Sequence, residues 1–98
     1  MSIIKEVKIK NRYFQIVKDE YANGNIALLL IKRSTQQLHL TLTINVSEKL
    51  PKDCVSIKHY SENAGMLDLL IQNDVIGQPL YYVQQGFVSV PICNLKTS

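Results

Sequence analysis

From Leu38 to Val46 the chain alternates without a break. Leu38, Leu40, Leu42, Ile44 and Val46 are apolar, and His39, Thr41, Thr43 and Asn45 between them are polar. A period of two with interleaved threonines predicts a β-strand with five apolar side chains on one sheet face. The same period opens the chain, where Val7 and Ile9 alternate with Lys8 and Lys10. Lys10-Asn11-Arg12 offers a turn, since Asn tolerates positive φ. Tyr13 to Lys18 then runs back as the second arm of a hairpin, rich in aromatic and β-branched residues.

Other segments are defined by their boundaries. Asp19 to Gly24 reads as a connection, with Asn23-Gly24 a strong short-range turn signal. Ile26 to Ile31 is apolar on both faces, as a covered central strand is. Its Ala and Leu content also suits a helix, but a run this short between turns favours a strand. Ser47 to Asp53 is a polar loop containing Pro51, and Cys54 to Lys58 a short strand with Val55 and Ile57 on one side.

Then the period changes. Ser61 can cap a helix whose apolar stripe is Met66, Leu67, Leu70 and Ile71, fraying near Asn73-Asp74 and ended by Gly77 and Pro79. Leu80 to Val83 leads to a turn at Gln85-Gly86, and Phe87 to Leu95 forms the last strand. Pro91 lacks a backbone donor, so that strand is expected at a sheet edge or bulged. The fold class is therefore α+β, an antiparallel sheet of four to seven strands with one short helix packed on it.

Composition adds limits. A chain of 98 residues is one domain, 1–98, and buries roughly 65% of its unfolded surface without staples. Charges within the first six residues and the lack of an apolar h-region argue against a signal peptide. The longest apolar run, Ile26 to Ile31, is far short of the roughly 20 residues of a membrane helix. The chain reads as soluble and cytosolic, with no membrane partner. Cys54 and Cys93 sit in apolar, strand-like contexts and read as small buried hydrophobes. A reducing cytosol disfavours their disulfide, and with His39 and His59 they show no metal-type spacing. No metal or cofactor is expected.

The formal charge of +3 is unevenly placed. Residues 1–18 carry Lys5, Lys8, Lys10, Arg12 and Lys18 against Glu6 alone, whereas 61–98 carry Glu62, Asp68 and Asp74 against Lys96. Lys8, Lys10 and Arg12 with Tyr13 supply what a single-strand nucleic-acid platform needs, a stacking face and backbone neutralisation. The plainer reading is core aromatics with solvated lysines that block strand addition. No phosphate loop, nucleophile elbow or dinucleotide fingerprint is present, and neither histidine has a context implying a nucleophile–base pair. The dense polar cluster Tyr60-Ser61-Glu62-Asn63 has two readings. It caps a helix, with Glu62 complementing the dipole, or it presents a recognition surface, with tyrosine as interface anchor.

Three separated motifs, in order, carry a resemblance over about residues 12 to 95. They are Tyr21-Ala22-Asn23-Gly24-Asn25-Ile26-Ala27-Leu28, then Val55-Ser56-Ile57-Lys58 with Tyr60-Ser61-Glu62-Asn63-Ala64-Gly65-Met66-Leu67, and lastly Gly86-Phe87-Val88-Ser89-Val90-Pro91-Ile92-Cys93-Asn94-Leu95. The chain resembles a domain-of-unknown-function family of small proteins carried by phages, plasmids and conjugative elements, mostly of Gram-positive bacteria. Where that family is acidic between its first two motifs, Ile31 to Gln37 and Ser47 to Lys52 are basic or neutral, which argues against mimicry of DNA.

The resemblance transfers no activity. It implies a setting, the accessory gene of a mobile element inside a bacterial host cell, where counter-defence proteins are common. The expectation is a non-enzymatic binding protein, such as an anti-CRISPR-like inhibitor of a host defence effector, acting by protein–protein contact. Tyr60, Glu62, Asn63, Tyr21 and Asn23 are its candidate partner-binding residues. The alternative is a nucleic-acid-binding accessory protein using Lys8, Lys10, Arg12 and Tyr13. An Ile- and Leu-rich sheet with few covering helices also leaves an apolar face that a homodimer would bury.

Overall fold

The structure, a computed structural model, describes residues 1–96. Among these residues seven strands form two antiparallel sheets: β1 (Ser2–Ile9), β2 (Arg12–Glu20), β3 (Ile26–Lys32), β4 (Leu38–Thr41), β5 (Cys54–Ser56), β6 (Tyr81–Gln85) and β7 (Val88–Asn94). The first four lie in sequence order, and the other three in the order β5-β7-β6. One α-helix, α1 (Met66–Gln72), follows a 3₁₀ turn at Ser61–Asn63. This is the α+β class that the periodicities predict.

The first hairpin closes with Ile9 opposite Arg12, so its loop is Lys10-Asn11 alone. Both residues have positive φ, 48° and 66°, as in the turns that match strand twist. β3 is central, as its two-sided apolarity requires, with β2 on one side and β4 on the other.

The alternating run from Leu38 to Val46 does not make one strand. β4 ends at Thr41, and the chain then crosses to the second sheet. The Leu42 N–H still donates to the Leu28 carbonyl at 2.8 Å, but the Ile44 N–H donates to Ser56 at 3.0 Å. Leu38 is exposed while Thr43 is only 2% exposed, so the five apolar residues do not share a face. The pattern reports an extended backbone and carries no information on which sheet each half pairs with.

The core lies between the sheets and beneath α1. Phe14, Ile16, Leu28 and Leu30 of the large sheet meet Val55, Ile57 and Cys93 of the small one, with Leu70 sealing one end. Met66, Leu67 and Ile71 pack against this cluster while partly exposed, as a helical stripe does. Full burial of a Leu, as at Leu70, contributes about 1.5–3 kcal/mol. A second cluster, Val46, Leu50, Cys54, Val90 and Ile92, covers the other face of the small sheet.

Three further expectations are corrected. Ser61 does not cap α1: the N-cap is Gly65 at φ 86°, with no side-chain cap bond, and Ser61 lies inside the 3₁₀ turn at φ 57°. Pro91 is not on an edge strand, because β7 is the centre of its sheet. It is tolerated because the β5 pairing ends at Ser56–Ile92. Pro91 still accepts the Ile57 N–H at 3.0 Å, and its missing donor faces the point where β5 leaves the sheet. Finally, the β6–β7 loop is Gly86-Phe87, closed by Gln85 opposite Val88. Only Gly86 there has positive φ.

Candidate functional site

Tyr21 and Glu62 are far apart in sequence, yet they line one open groove of about 470 Å³ along β4 and the crossing segment. His39, Thr41, Thr43 and Lys58 contribute to its walls. Tyr21 is placed by the loop that joins β2 to β3, where its N–H donates to the Asn25 carbonyl at 2.8 Å and its carbonyl accepts the Gly24 N–H. Its hydroxyl is hydrogen-bonded to the Thr43 hydroxyl at 2.9 Å. Thr43 Oγ1 also accepts the Leu28 N–H at 3.2 Å, which fixes the far end of the tyrosine.

On the other wall Lys58 Nζ donates to Glu62 Oε2 at 2.7 Å. That bond, with contributions from the Glu62 backbone and the Ser61 hydroxyl, lowers the Glu62 carboxyl to about 2. The ammonium of Lys58 is raised by the same contact. Lys58 Nζ also lies 5.5 Å from the centre of the half-buried Tyr60 ring, and the His59 ring meets Tyr60 edge-on at 5.9 Å. Lys58 and Glu62 therefore line the groove as a pair, while Tyr60 stands beside Lys58 outside the groove's lining.

Two residues expected at a binding surface do other work. Asn63 is fully buried, and its Nδ2 donates to the Thr41 carbonyl at 2.7 Å, so it lies outside the contact surface. Asn23 is exposed, but its amide is committed: Nδ2 donates to the Val46 carbonyl at 2.9 Å and Oδ1 accepts the Asn25 N–H. Sequence reasoning missed Asn25. This buried side chain donates to the Glu48 carbonyl at 2.9 Å and accepts the Leu50 N–H at 2.9 Å. The only signal was an Asn after Asn-Gly, which resembles ordinary turn chemistry.

The basic hairpin is arranged differently from a free stacking platform. Lys8 stands opposite Tyr13 in the β1–β2 ladder, with its Nζ 5.6 Å from the ring centre. The Arg33 guanidinium covers the same ring at 4.2 Å while pairing with Glu6 at 2.8 Å. Lys10 sits in the turn and Arg12 starts β2. Of the histidines, His39 packs on Phe14 with centroids 5.0 Å apart, and His59 Nε2 lies 2.9 Å from the Ser89 carbonyl. Cys54 and Cys93 are free, buried thiols, and burial pushes Cys93 up to about 11.

No family model, curated protein or solved structure matches the chain.

Proposed function

We propose that this chain is a non-enzymatic binding protein of a phage or other mobile genetic element, working in the cytoplasm of a bacterial host. It acts by protein–protein contact, as an inhibitor of a host defence system of the CRISPR-effector kind. The observation that carries the binding reading is the groove lined by Tyr21, Lys58 and Glu62, with Tyr60 beside Lys58. It pairs a fixed aromatic hydroxyl with a mutually neutralised Lys58–Glu62 pair. Pre-ordered aromatic and paired polar groups suit a protein partner, because little side-chain entropy is lost on contact. The mobile-element setting is supported by the resemblance of the three motifs alone.

The test is twofold. Plaque and plasmid-clearance assays against a panel of CRISPR and restriction systems should show rescue when the protein is expressed. A pull-down from the host should then recover an effector with the native chain and lose it with Tyr60→Ala. An absence of rescue across the panel removes the inhibitor reading, and capture indifferent to Tyr60 and Glu62 removes the groove.

Nucleic-acid binding through Lys8, Lys10, Arg12 and Tyr13 is the rival. Arg33 and Lys8 already lie against the Tyr13 ring, so a base stacking there competes with two cations, and this favours phosphate contact over stacking. Such binding weakens steeply with salt, because counterions are released. Affinity for single- and double-stranded DNA and for RNA, measured near about 50 mM and about 200 mM salt, separates the two readings.

A further inference from the structure

The exposed edges of the two sheets are guarded unequally. β1 carries Lys5 and Lys8 and is interrupted by a register shift between Ile3 and Lys5, the ordinary defences of an edge against strand addition. β4 is four residues long, and the carbonyl at its end is taken by Asn63. The outer edge of β5 is covered by the crossing segment through Thr43 and Ile44. β6 is guarded only at its start, by Pro79 and by a Leu80 N–H turned inward onto the Ile92 carbonyl at 2.8 Å; from Tyr81 to Gln85 nothing among the described residues covers it. It is the outer strand of its sheet, and residues 75–95 contain no Asp, Glu, Lys, Arg or His.

That edge is also apolar. Leu80 is 56% and Tyr82 58% exposed, Tyr81 is exposed, and Phe87 at the hairpin tip is fully so. The two-residue loop is closed by Gln85 opposite Val88, with Val83 opposite Val90 next along the ladder. A closing pair of this kind is hydrogen-bonded and alternate pairs follow it. The backbone N–H and C=O groups of Tyr82 and Gln84 therefore point away from β7, towards the open edge.

We propose that a second copy of this chain covers the edge, by antiparallel pairing of β6 with β6 about a two-fold axis at Val83. Centring the pairing on Val83 places Tyr82 opposite Gln84 of the second copy and Gln84 opposite its Tyr82. The outward backbone groups then close two hydrogen-bonded pairs, and a continuous six-stranded sheet results. The ladder stops there, because the Leu80 N–H is committed to the Ile92 carbonyl at 2.8 Å and Pro79 has no N–H, and Leu80 and Phe87 flank it as apolar ends. The four apolar side chains offer at most on the order of 500 Å² per copy, hence about 1,000 Å² across the pair, the size of a weak, concentration-dependent dimer. An uncharged edge gives a foreign strand nothing to be selected by, whereas the pairing is complementary to itself. The proposal stands apart from the groove at Tyr21 and Glu62.

Sedimentation and light scattering from about 1 µM to about 500 µM should show the mass rising from 11.2 kDa towards twice that value. Tyr82→Lys with Gln84→Lys places like charges opposite one another and should give a monomer throughout, with circular dichroism and melting temperature at low concentration unchanged. As a second variant, Val83→Cys should give a disulfide-linked dimer on mild oxidation. The non-hydrogen-bonded pair at the axis sets its Cα atoms about 4.5 Å apart, within disulfide reach. Tyr82→Cys alone faces Gln84 and should not cross-link. A monomer at every concentration overturns the proposal, as does a dimer indifferent to the lysine pair.

Discussion

Asn63 Nδ2 donates to the Thr41 carbonyl at 2.7 Å from a fully buried position, and so latches the 3₁₀ turn after β5 onto the last residue of β4. The companion Oδ1 is buried without a partner among the described residues. Asn63→Ala removes both the bond and the orphaned acceptor, so its cost is less than that of a pure deletion. Stripping a buried carbonyl of its partner costs about 1–3 kcal/mol. The expected loss lies near the lower end, about 1 kcal/mol, read by urea denaturation. Asn63→Asp keeps an acceptor and loses the donor, and it should destabilise by more than Asn63→Ala.

Asn25 carries a larger share. Its Nδ2 bonds to the Glu48 carbonyl and Asn45 Oδ1, and its Oδ1 accepts the Leu50 N–H, tying the β2–β3 loop to residues 45–50. Asn25→Ala should cost at least about 2 kcal/mol, since several groups lose partners at once. Asn23→Ala, on the exposed side of the same loop, should cost about half as much. Hydrogen exchange at the Leu50 amide is the local readout, and equal loss from both variants would contradict the hierarchy.

Glu62 titrates below its usual range because Lys58 holds the charged form. A depressed folded pKa stabilises the native state above the unfolded value near 4.5, and that contribution fades as the pH falls towards about 2. Lys58→Ala should return the Glu62 carboxyl towards 4.5 in an NMR titration. It should also flatten the pH dependence of stability in that window. An unmoved titration would mean that the backbone and Ser61 contacts hold the carboxylate by themselves.

The thiols provide a check on packing. Burial raises Cys93 to about 11, and Cys54 is raised by burial and by Asp53. Native protein at pH 8 should resist alkylation by iodoacetamide at both positions, because thiolate is scarce and access is blocked. Both should react promptly in denaturant. Rapid native labelling of Cys93 would contradict its burial between the sheets.

Much of this fold is written locally. The β1–β2 hairpin, the strand from Ile26 and the stripe Met66, Leu67, Leu70 and Ile71 follow from period and turn chemistry, and each is present. What local pattern could not convey is pairing. The Leu38–Val46 alternation spans two sheets, and Pro91 is tolerated in a central strand because its neighbour β5 is only three residues long. Of the candidate residues, Tyr21 and Glu62 line one groove and Tyr60 and Asn23 lie outside its lining, and only the fold could reveal that Asn63 faces inward or that β6 is open from Tyr81 to Gln85.

Ser61 tests what the junction does, since capping and recognition make different demands on it. Its φ of 57° is left-handed, a conformation that costs a non-glycine residue about 1–2 kcal/mol. Its hydroxyl contributes to holding the Glu62 carboxylate, while the helix behind it starts from Gly65 without side-chain help. A true N-cap serine would lose about 1 kcal/mol on replacement by Ala and only a few tenths on replacement by Gly. Here Ser61→Ala removes no cap bond and should cost less than about 0.5 kcal/mol. Ser61→Gly relieves the left-handed strain at a comparable entropic cost, so it should leave stability within about 0.5 kcal/mol of the native chain. In both variants Glu62 should titrate slightly higher as the hydroxyl contact is lost, and Tyr60 should keep its place beside Lys58. Thermal unfolding and an NMR titration of Glu62 on these two variants decide the point. A loss near 1 kcal/mol in Ser61→Ala alone would restore a capping role, whereas small losses with a shifted Glu62 titration assign Ser61 to positioning the carboxylate.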